Sequence, residues 1–421
     1  MYGILKVSID YFFLGGLMAK KKRKKWMKLR HRVVHAVLRH PIGLYCRLKY
    51  GIRIEKFKQQ GKRPYLILYN HQTAFDQFFV GLAFRGPVYY IASEDLFSKG
   101  FLSKIIRYLV APIPILKQTT DVSAVMTTLR VAREGATIAL APEGNRTFSG
   151  RTEYFKESVA ALVRALKLPV AIYRLEGGYG VHPRWSDCVR RGKMRGYVSE
   201  VIEPEEYRAM TDAELCDRIR TALANDEGRL DAAYRHKNAA EYLERAVYVC
   251  PHCGLSRFES HRDTVRCLSC GATVRYLPTK ELEGVDQPFP FRFMTEWYTY
   301  QSDFVRALDL TPYADTPIYE DTAQFLEVEV YKKKHLLEKS ATLSVYSDRY
   351  EVKTSTGTVV LPFSDVRTST VLGKNKLNVY VGDKLYQFKS DKRFNALKYV
   401  NLYYRAESVQ KGEGLCEFLG L

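Results

Sequence analysis

The sequence predicts an α/β fold with a mostly parallel or mixed sheet in its N-terminal half, followed by smaller β-rich units. Three observations carry this expectation. From Pro64, continuous apolar runs of strand length alternate with helical periods; near residue 250, four cysteines fall in two C-x-x-C-G pairs; and after Leu343, short two-residue alternations are broken by turn signals. The 421 residues are 46% hydrophobic and 27% charged, which excludes a disordered or collagen-like polymer. That length supports two or three domains whose cores need no disulfide reinforcement. The expected divisions are basic amphipathic helices over 1–54, an α/β domain over 55–235, a zinc ribbon over 246–277 and a C-terminal α+β barrel-like domain over 335–410.

The N-terminal segment holds most of the net charge of +20. Between Asp10 and Glu55 there is no acidic residue, while thirteen Lys or Arg fall between Lys20 and Arg53. The rest of the chain is left with +7. Tyr11 to Ala19 is an apolar run of nine residues, short of the roughly 20 that a spanning helix needs. Its basic cluster follows the apolar run, whereas a secretory signal places its charges first, so a cytoplasmic setting is expected. Aromatic and aliphatic groups at Tyr11 to Met18, then Trp26 among lysines, then Val33, Val34, Val37 and Leu38 at helical spacing up to Pro41, suit a membrane interface. Each lysine near an anionic surface contributes on the order of 1 kcal/mol. The expected partner is anionic lipid, and the expected location is the cytoplasmic face of a membrane, peripheral or monotopic. Nucleic acid is not expected, because charges around the cysteines are mixed in sign and no RNP-like aromatic motif is present.

The next elements follow in order. Tyr65 to Tyr69, Val88 to Ala92, Ile113 to Leu116, Thr137 to Ala141 and Pro169 to Leu175 read as strands buried on both faces. Asp121 is positioned to cap a helix bearing Val122, Val125, Met126 and Leu129, and Phe155 to Lys167 and Ala213 to Ala224 repeat the helical period. Cys250, Cys253, Cys267 and Cys270, with thirteen residues between the pairs, suit a structural zinc ion held by four thiolates. Cys46, Cys188, Cys216 and Cys416 show no such spacing and read as isolated thiols. Alternation from Leu343 to Phe388 predicts antiparallel strands, and Phe394, Leu397, Val400 and Tyr404 share one face of a closing helix. This last unit resembles a pleckstrin-homology-like or GRAM-like barrel.

Candidate chemistry sits at strand ends. His71 follows a strand, at the edge where open α/β sheets hold their ligands. With a helix starting near Thr73, Asp76 lies in its first turn and can fold back to take the proton on one imidazole nitrogen. The other nitrogen is then a base able to activate a substrate hydroxyl directly. After another strand come Glu143, Gly144, Asn145, Arg146 and Thr147. Here Gly144 permits close backbone approach, and Arg146 offers a forked donor set suited to phosphate. A third strand ends in the cation Lys117.

Taken in order, N-H-x-x-x-x-D at Asn70 to Asp76, the strand ending at Lys117, E-G-N-R-T at Glu143 to Thr147, and Leu168 to Tyr173 resemble the four motifs of the glycerophospholipid acyltransferases, of which the 1-acylglycerol-3-phosphate acyltransferases are the best known. The resemblance covers about residues 30 to 230. It implies that His71 is the general base and Asp76 its orienting partner. It implies also that Arg146 and Lys117 hold the acceptor's phosphate, in a pocket shaped by Glu143, Gly144, Asn145 and Thr147. The implied reaction moves an acyl group from acyl-CoA or acyl carrier protein to a hydroxyl of lysophosphatidic acid, making phosphatidic acid. Glycerol 3-phosphate and other lysolipids are the alternative acceptors. The departures are Lys117 for the usual Arg, Asn145 for Thr, Thr147 for Ser, and Leu116 where an acidic residue commonly precedes the cation. A zinc-ribbon nucleic-acid-binding protein, or a lipid-binding protein without catalysis, are the readings of a different class.

Overall fold

The computed structural model describes residues 25–97, 100–115, 121–228, 232–329 and 332–412. The apolar patch Tyr11 to Met18, the lysines of residues 20–24, and Lys117 lie outside them.

The first described element is helix α1 (Leu29–Tyr50). It runs straight through Pro41, where the sequence predicts an end. Proline there removes a single intrahelical hydrogen bond, whereas Cys46 and Tyr50, two turns on, are buried and pay back the loss with core contacts. The helix stops at Gly51, whose φ of +62° is left-handed and whose N–H donates to Arg47 O. A Cβ at Gly51 would fall 2.6 Å from Gly192 O, so only glycine fits. Trp26, expected at the membrane interface, is instead pinned to the protein. Its indole Nε1 donates to Ala111 O, and its backbone N–H, like that of Met27, donates to the Glu134 carboxylate.

A seven-stranded mixed sheet follows. Its strands are β1 (Ile52–Ile54), β2 (Leu66–Tyr69), β3 (Val88–Ser93), β4 (Ile113–Ile115), β5 (Thr137–Leu140), β6 (Val170–Glu176) and β7 (Met194–Ile202), in the spatial order β1-β7-β6-β2-β5-β3-β4. The β6-β2-β5-β3-β4 block is parallel, as the apolar runs predict. Strand β7 runs antiparallel to β6 and carries β1 with it. Its exposed Arg195 and half-buried Glu200 interrupt any apolar run. Successive residues of β2 face opposite layers. Leu66 and Leu68 pack with helices α4 (Val122–Arg133), α5 (Ser158–Leu166) and α8 (Asp212–Leu223), whereas Ile67 and Tyr69 pack with α1 and α2 (Asp76–Ala83). Short helices α3 (Phe101–Leu109), α6 (Gly178–Val181) and α7 (Pro204–Arg208) complete this half. Asp121 caps α4 as expected, its Oδ1 accepting from Ala124 N at 2.9 Å.

The cysteine segment comprises the pair β8 (Val249–Cys250) and β9 (Gly254–Leu255) and a four-stranded antiparallel sheet, β10 (Phe258–His261) through β13 (Leu282–Gly284). Helix α9 (Met294–Ala307) locks it. Gln301 Oε1 accepts from the N–H groups of Tyr248 and Val249, and Trp297 Nε1 donates to Val249 O. Seven antiparallel strands then form one sheet, β14 (Tyr319–Val328), β15 (Lys334–Val345), β16 (Arg349–Thr354), β17 (Gly357–Pro362), β18 (Val366–Leu372), β19 (Lys376–Val381) and β20 (Lys384–Lys389), in the order β17-β16-β15-β14-β20-β19-β18. Strand β14 starts well before residue 335, where the sequence places the boundary; its alternation of Tyr319, Ala323 and Phe325 is obscured by intervening acidic residues. The sheet curves until Tyr350 on β16 (Arg349–Thr354) hydrogen-bonds Ser369 on β18 (Val366–Leu372). Helix α10 (Leu397–Lys411) packs beneath it, with Tyr403 OH donating to Val366 O.

The two halves share a core. Phe148, Tyr179 and Trp185 of the first belong to the same buried cluster as Tyr276, Trp297 and Val371 of the second. Arg184 is the joint. Its guanidinium donates to Arg146 O in one half and to Val371 O and Gly373 O in the other, each at 2.8 Å, and it lies over the Phe148 ring.

Candidate active site

The parallel strands end along one edge, and the loops leaving β2, β5 and β6 meet there. Asn70, fully buried after β2, imitates one more strand residue: its Nδ2 donates to Leu175 O and its Oδ1 accepts from Leu175 N. The strand end is thereby fixed to β6, and His71 starts from a rigid point. Sequence reasoning treats Asn70 only as part of a motif; the buried amide is its physical role.

His71 and Asp76 are brought together. His71 Nδ1 lies 2.7 Å from Asp76 Oδ2. Helix α2 begins at Asp76 itself, three residues later than expected, because residues 71–75 form a turn around the carboxylate. Asp76 is fully buried and accepts from Gln72 N, Thr73 N and Thr73 Oγ1 as well as from the imidazole. An ionised carboxylate can only accept, so Nδ1 carries the ring proton and the basic lone pair is on Nε2. The turn is tightly covered: a methyl group on Gly178 would come within 2.6 Å of Gln72 Cβ.

The segment after β5 divides into supports and lining. Glu143 is a support. Its Oε1 accepts from His71 N at 2.7 Å and its Oε2 from Glu153 N at 2.9 Å, which ties the two loops together. Burial pushes this carboxyl up to about 8, against the pull of the two amide donors. Thr147 is also a support rather than a surface for substrate. Its hydroxyl donates to Glu153 and accepts from Ser149 N and Gly150 N, and its own N–H donates to His71 O. Gly144 is required for a different reason from the one read in the sequence. No atom lies within 4 Å of where its Cβ would be, but its φ of +73° is left-handed.

Glu143, Gly144, Asn145 and Arg146 line a cavity of about 1510 Å³ together with His71. Among the described residues, Arg146 Nη1 has no hydrogen-bond partner although the atom is shielded from solvent. Burial depresses the guanidinium's pKa, with Asp76 and Tyr50 opposing the shift. A desolvated cation of this kind is costly unless an anion completes it. Apolar side chains line the cavity too: Val34, Leu38 and Ile42 of α1, Phe78 and Leu82 of α2, and Ile106 of α3. Val170 to Tyr173 sit in the sheet core beneath.

A second cluster lies apart from this cavity. Cys250, Cys253, Cys267 and Cys270 place their sulfurs within 4.8 Å of one another. The closest pairs are 3.7 Å and 3.6 Å apart. Four sulfurs at about 2.3 Å from one tetrahedral ion stand about 3.75 Å from each other, a spacing these two pairs match. Ser256 Oγ, 3.0 Å from Cys267 Sγ, is placed to orient that ligand.

Comparisons with known proteins bear on the first site. Residues 51–173 match the sequence profile of the acyltransferase family, a span that includes His71, Asp76 and the segment from Glu143 to Thr147. No curated protein matches the chain. Among solved structures, the 1-acyl-sn-glycerophosphate (LPA) acyltransferase PlsC from Thermotoga maritima is similar at 19% identity and a TM-score of 0.39, covering 53% of this chain and 85% of that one. The N-terminal PH domain of human ARAP2 is similar at 14% identity and a TM-score of 0.19, covering 22% of this chain and 80% of that one. Both TM-scores are below 0.5, so neither likeness bears on the argument. The motif set and the profile match agree: the chain carries a domain of the acyltransferase family.

Proposed function

We propose that the protein acylates a lysophospholipid, with lysophosphatidic acid the simplest acceptor, using a fatty acyl thioester of coenzyme A or acyl carrier protein. The observation that carries this reading is the hydrogen-bonded His71–Asp76 pair, whose imidazole lines one cavity together with Arg146 and apolar side chains of α1, α2 and α3. His71 Nε2 takes the proton of the acceptor hydroxyl as its oxygen attacks the thioester carbonyl. When the carbon–sulfur bond breaks, the imidazolium returns that proton to the leaving thiolate. Asp76 holds the ring in the required tautomer and stabilises its charged form. Base catalysis of this sort is worth about 10²- to 10⁴-fold. Arg146 receives the acceptor's phosphate, Lys117 is proposed to assist it, and the apolar lining receives acyl chains.

The same reading assigns the outer surface to a membrane. No helix among the described residues is long and apolar enough to cross one. Helix α1 nonetheless exposes Leu29, Val33, Val37, Leu44 and Leu48, and α3 adds Phe101, Leu102 and Tyr108. The two helices adjoin, with Arg30 stacked over the Tyr108 ring at 3.9 Å. Arg32, Arg47 and Lys49 stand exposed beside this apolar surface. Apolar groups with flanking cations suit an anionic bilayer, and the apolar cavity lies between these same helices, so lipid chains could pass from bilayer to site. The four cysteines are proposed to hold a structural zinc ion, since four thiolates leave no open position for catalysis.

Three outcomes are expected. His71→Ala should lower acyl transfer to lysophosphatidic acid by at least about a hundredfold, measured as labelled phosphatidic acid formed; equal rates in the two proteins would remove His71 from the mechanism. Replacing Leu48 and Phe101 with Ser should reduce sedimentation with anionic vesicles, and unchanged sedimentation would refute the docking surface. Metal analysis should find one zinc per chain, lost in Cys250→Ser with Cys267→Ser together with a fall in Tm, whereas a zinc-free, equally stable wild-type chain would rule the ion out.

A further inference from the structure

One wall of the cavity belongs to neither the acyltransferase domain nor the membrane surface. It is built by one end of the C-terminal sheet. Lys374 in the β18–β19 turn, Lys376 at the start of β19 (Lys376–Val381), Lys389 at the end of β20 and Lys392 in the following loop all line the same cavity as His71 and Arg146. Lys376 and Lys389 are direct cross-strand partners. Their register sets the two side by side at one end of the sheet. Two carboxylates line this wall as well, and one of them pairs with Lys374. Asp187 accepts from Arg245 and Lys374, and Asp391 Oδ1 accepts from the backbone N–H groups of Arg393 and Phe394.

This wall is joined to the catalytic loop. Arg184 spans from Gly373 O, beside Lys374, to Arg146 O. Burial depresses the pKa values of Arg184 and Lys374, and the Arg146 charge adds to both shifts, whereas Asp187 opposes that of Lys374. The cations thus line the same cavity as Arg146, where the acceptor's phosphate is proposed to sit. In coenzyme A, by contrast, the long pantetheine arm separates the phosphates from the thioester.

We propose that the C-terminal sheet is a headgroup-recognition wall, and that the preferred acceptor is a lysophospholipid whose headgroup carries a second anionic group beyond the glycerol phosphate. This rests on the acyl-transfer reading for the role of His71. Arg146 takes the phosphate next to the reacting hydroxyl, and Lys389 and Lys392, whose side chains are exposed at the mouth, take the outer anion through charge-assisted hydrogen bonds.

The test uses the full chain with two acceptors, lysophosphatidic acid and lysophosphatidylinositol 4-phosphate, and the double variant Lys389→Ala with Lys392→Ala. The wild type should favour the second acceptor, and the variant should reduce that preference by about tenfold, through acceptor KM rather than kcat. An unchanged preference overturns the proposal. So does a rise in donor KM in place of acceptor KM, which would put the lysines on the coenzyme, or a loss of sedimentation with anionic vesicles while the preference holds. Calorimetric binding of glycerophosphoinositol 4-phosphate without donor separates the two layers of the argument. Lysine-dependent binding in a chain that transfers no acyl group would sink the catalytic reading and leave the wall standing; lysine-independent transfer with no such binding would do the reverse.

Discussion

The site depends on one buried carboxylate. Asp76 sits out of solvent at the start of α2, surrounded by donors from Gln72, Thr73 and the His71 ring. A carboxylate so placed must remain hydrogen-bonded, because an unsatisfied buried charge costs several kcal/mol. The backbone of residues 71–75 is therefore shaped around it, and the shape of that turn decides where the imidazole points. The remaining supports act on the same turn. Asn70 fixes its start to β6, Glu143 holds the His71 N–H, and Thr147 donates to the His71 carbonyl. Base and orienter are thus held by backbone and by fully buried side chains before any substrate arrives, which is the preorganisation that base catalysis requires.

The second half of the chain is part of this arrangement. Through the shared core around Trp185 and the Arg184 guanidinium, the C-terminal sheet is fastened to the carbonyl of Arg146 itself. Arg184 is fully buried, with its pKa brought down to about 9 mainly by desolvation, so its donors have no alternative partner in water. A shift of the sheet would strain the loop that presents Arg146. The cysteine cluster contributes at one remove, since its strand β8 is locked by Gln301 and Trp297 into that same core.

What the sequence discloses follows from which physical signals are local. The parallel strands are legible because burial on both faces leaves unbroken apolar runs, and the helix cap at Asp121 because its side chain bonds within its own turn. His71, Asp76 and Arg146 are legible as an ordered motif, and the structure brings His71 and Arg146 to one cavity with Asp76 buried behind the imidazole. Local patterns fail where tertiary burial overrides them. Helix α1 passes Pro41 because Cys46 and Tyr50 are needed in the core. Strand β7 is hidden because Arg195 and Glu200 interrupt any apolar run. Glu143 and Thr147, which the sequence groups with the pocket, also brace the loops in the fold, Glu143 through two backbone N–H groups and Thr147 through Glu153 and neighbouring N–H groups. The cationic wall is invisible in one dimension, since Lys374 and Lys389 are more than two hundred residues from Arg146 and meet it only through sheet register and the Arg184 bridge.

The central claim is that Asp76 fixes His71 as a base through Nε2. Nitrogen-15 NMR of imidazole-labelled protein, with His71 assigned by comparison with His71→Ala, reads this directly. The expected spectrum shows neutral His71 protonated at Nδ1, with that proton shifted far downfield by the carboxylate, and a non-protonated Nε2. A neutral His71 carrying its proton on Nε2 would contradict the account.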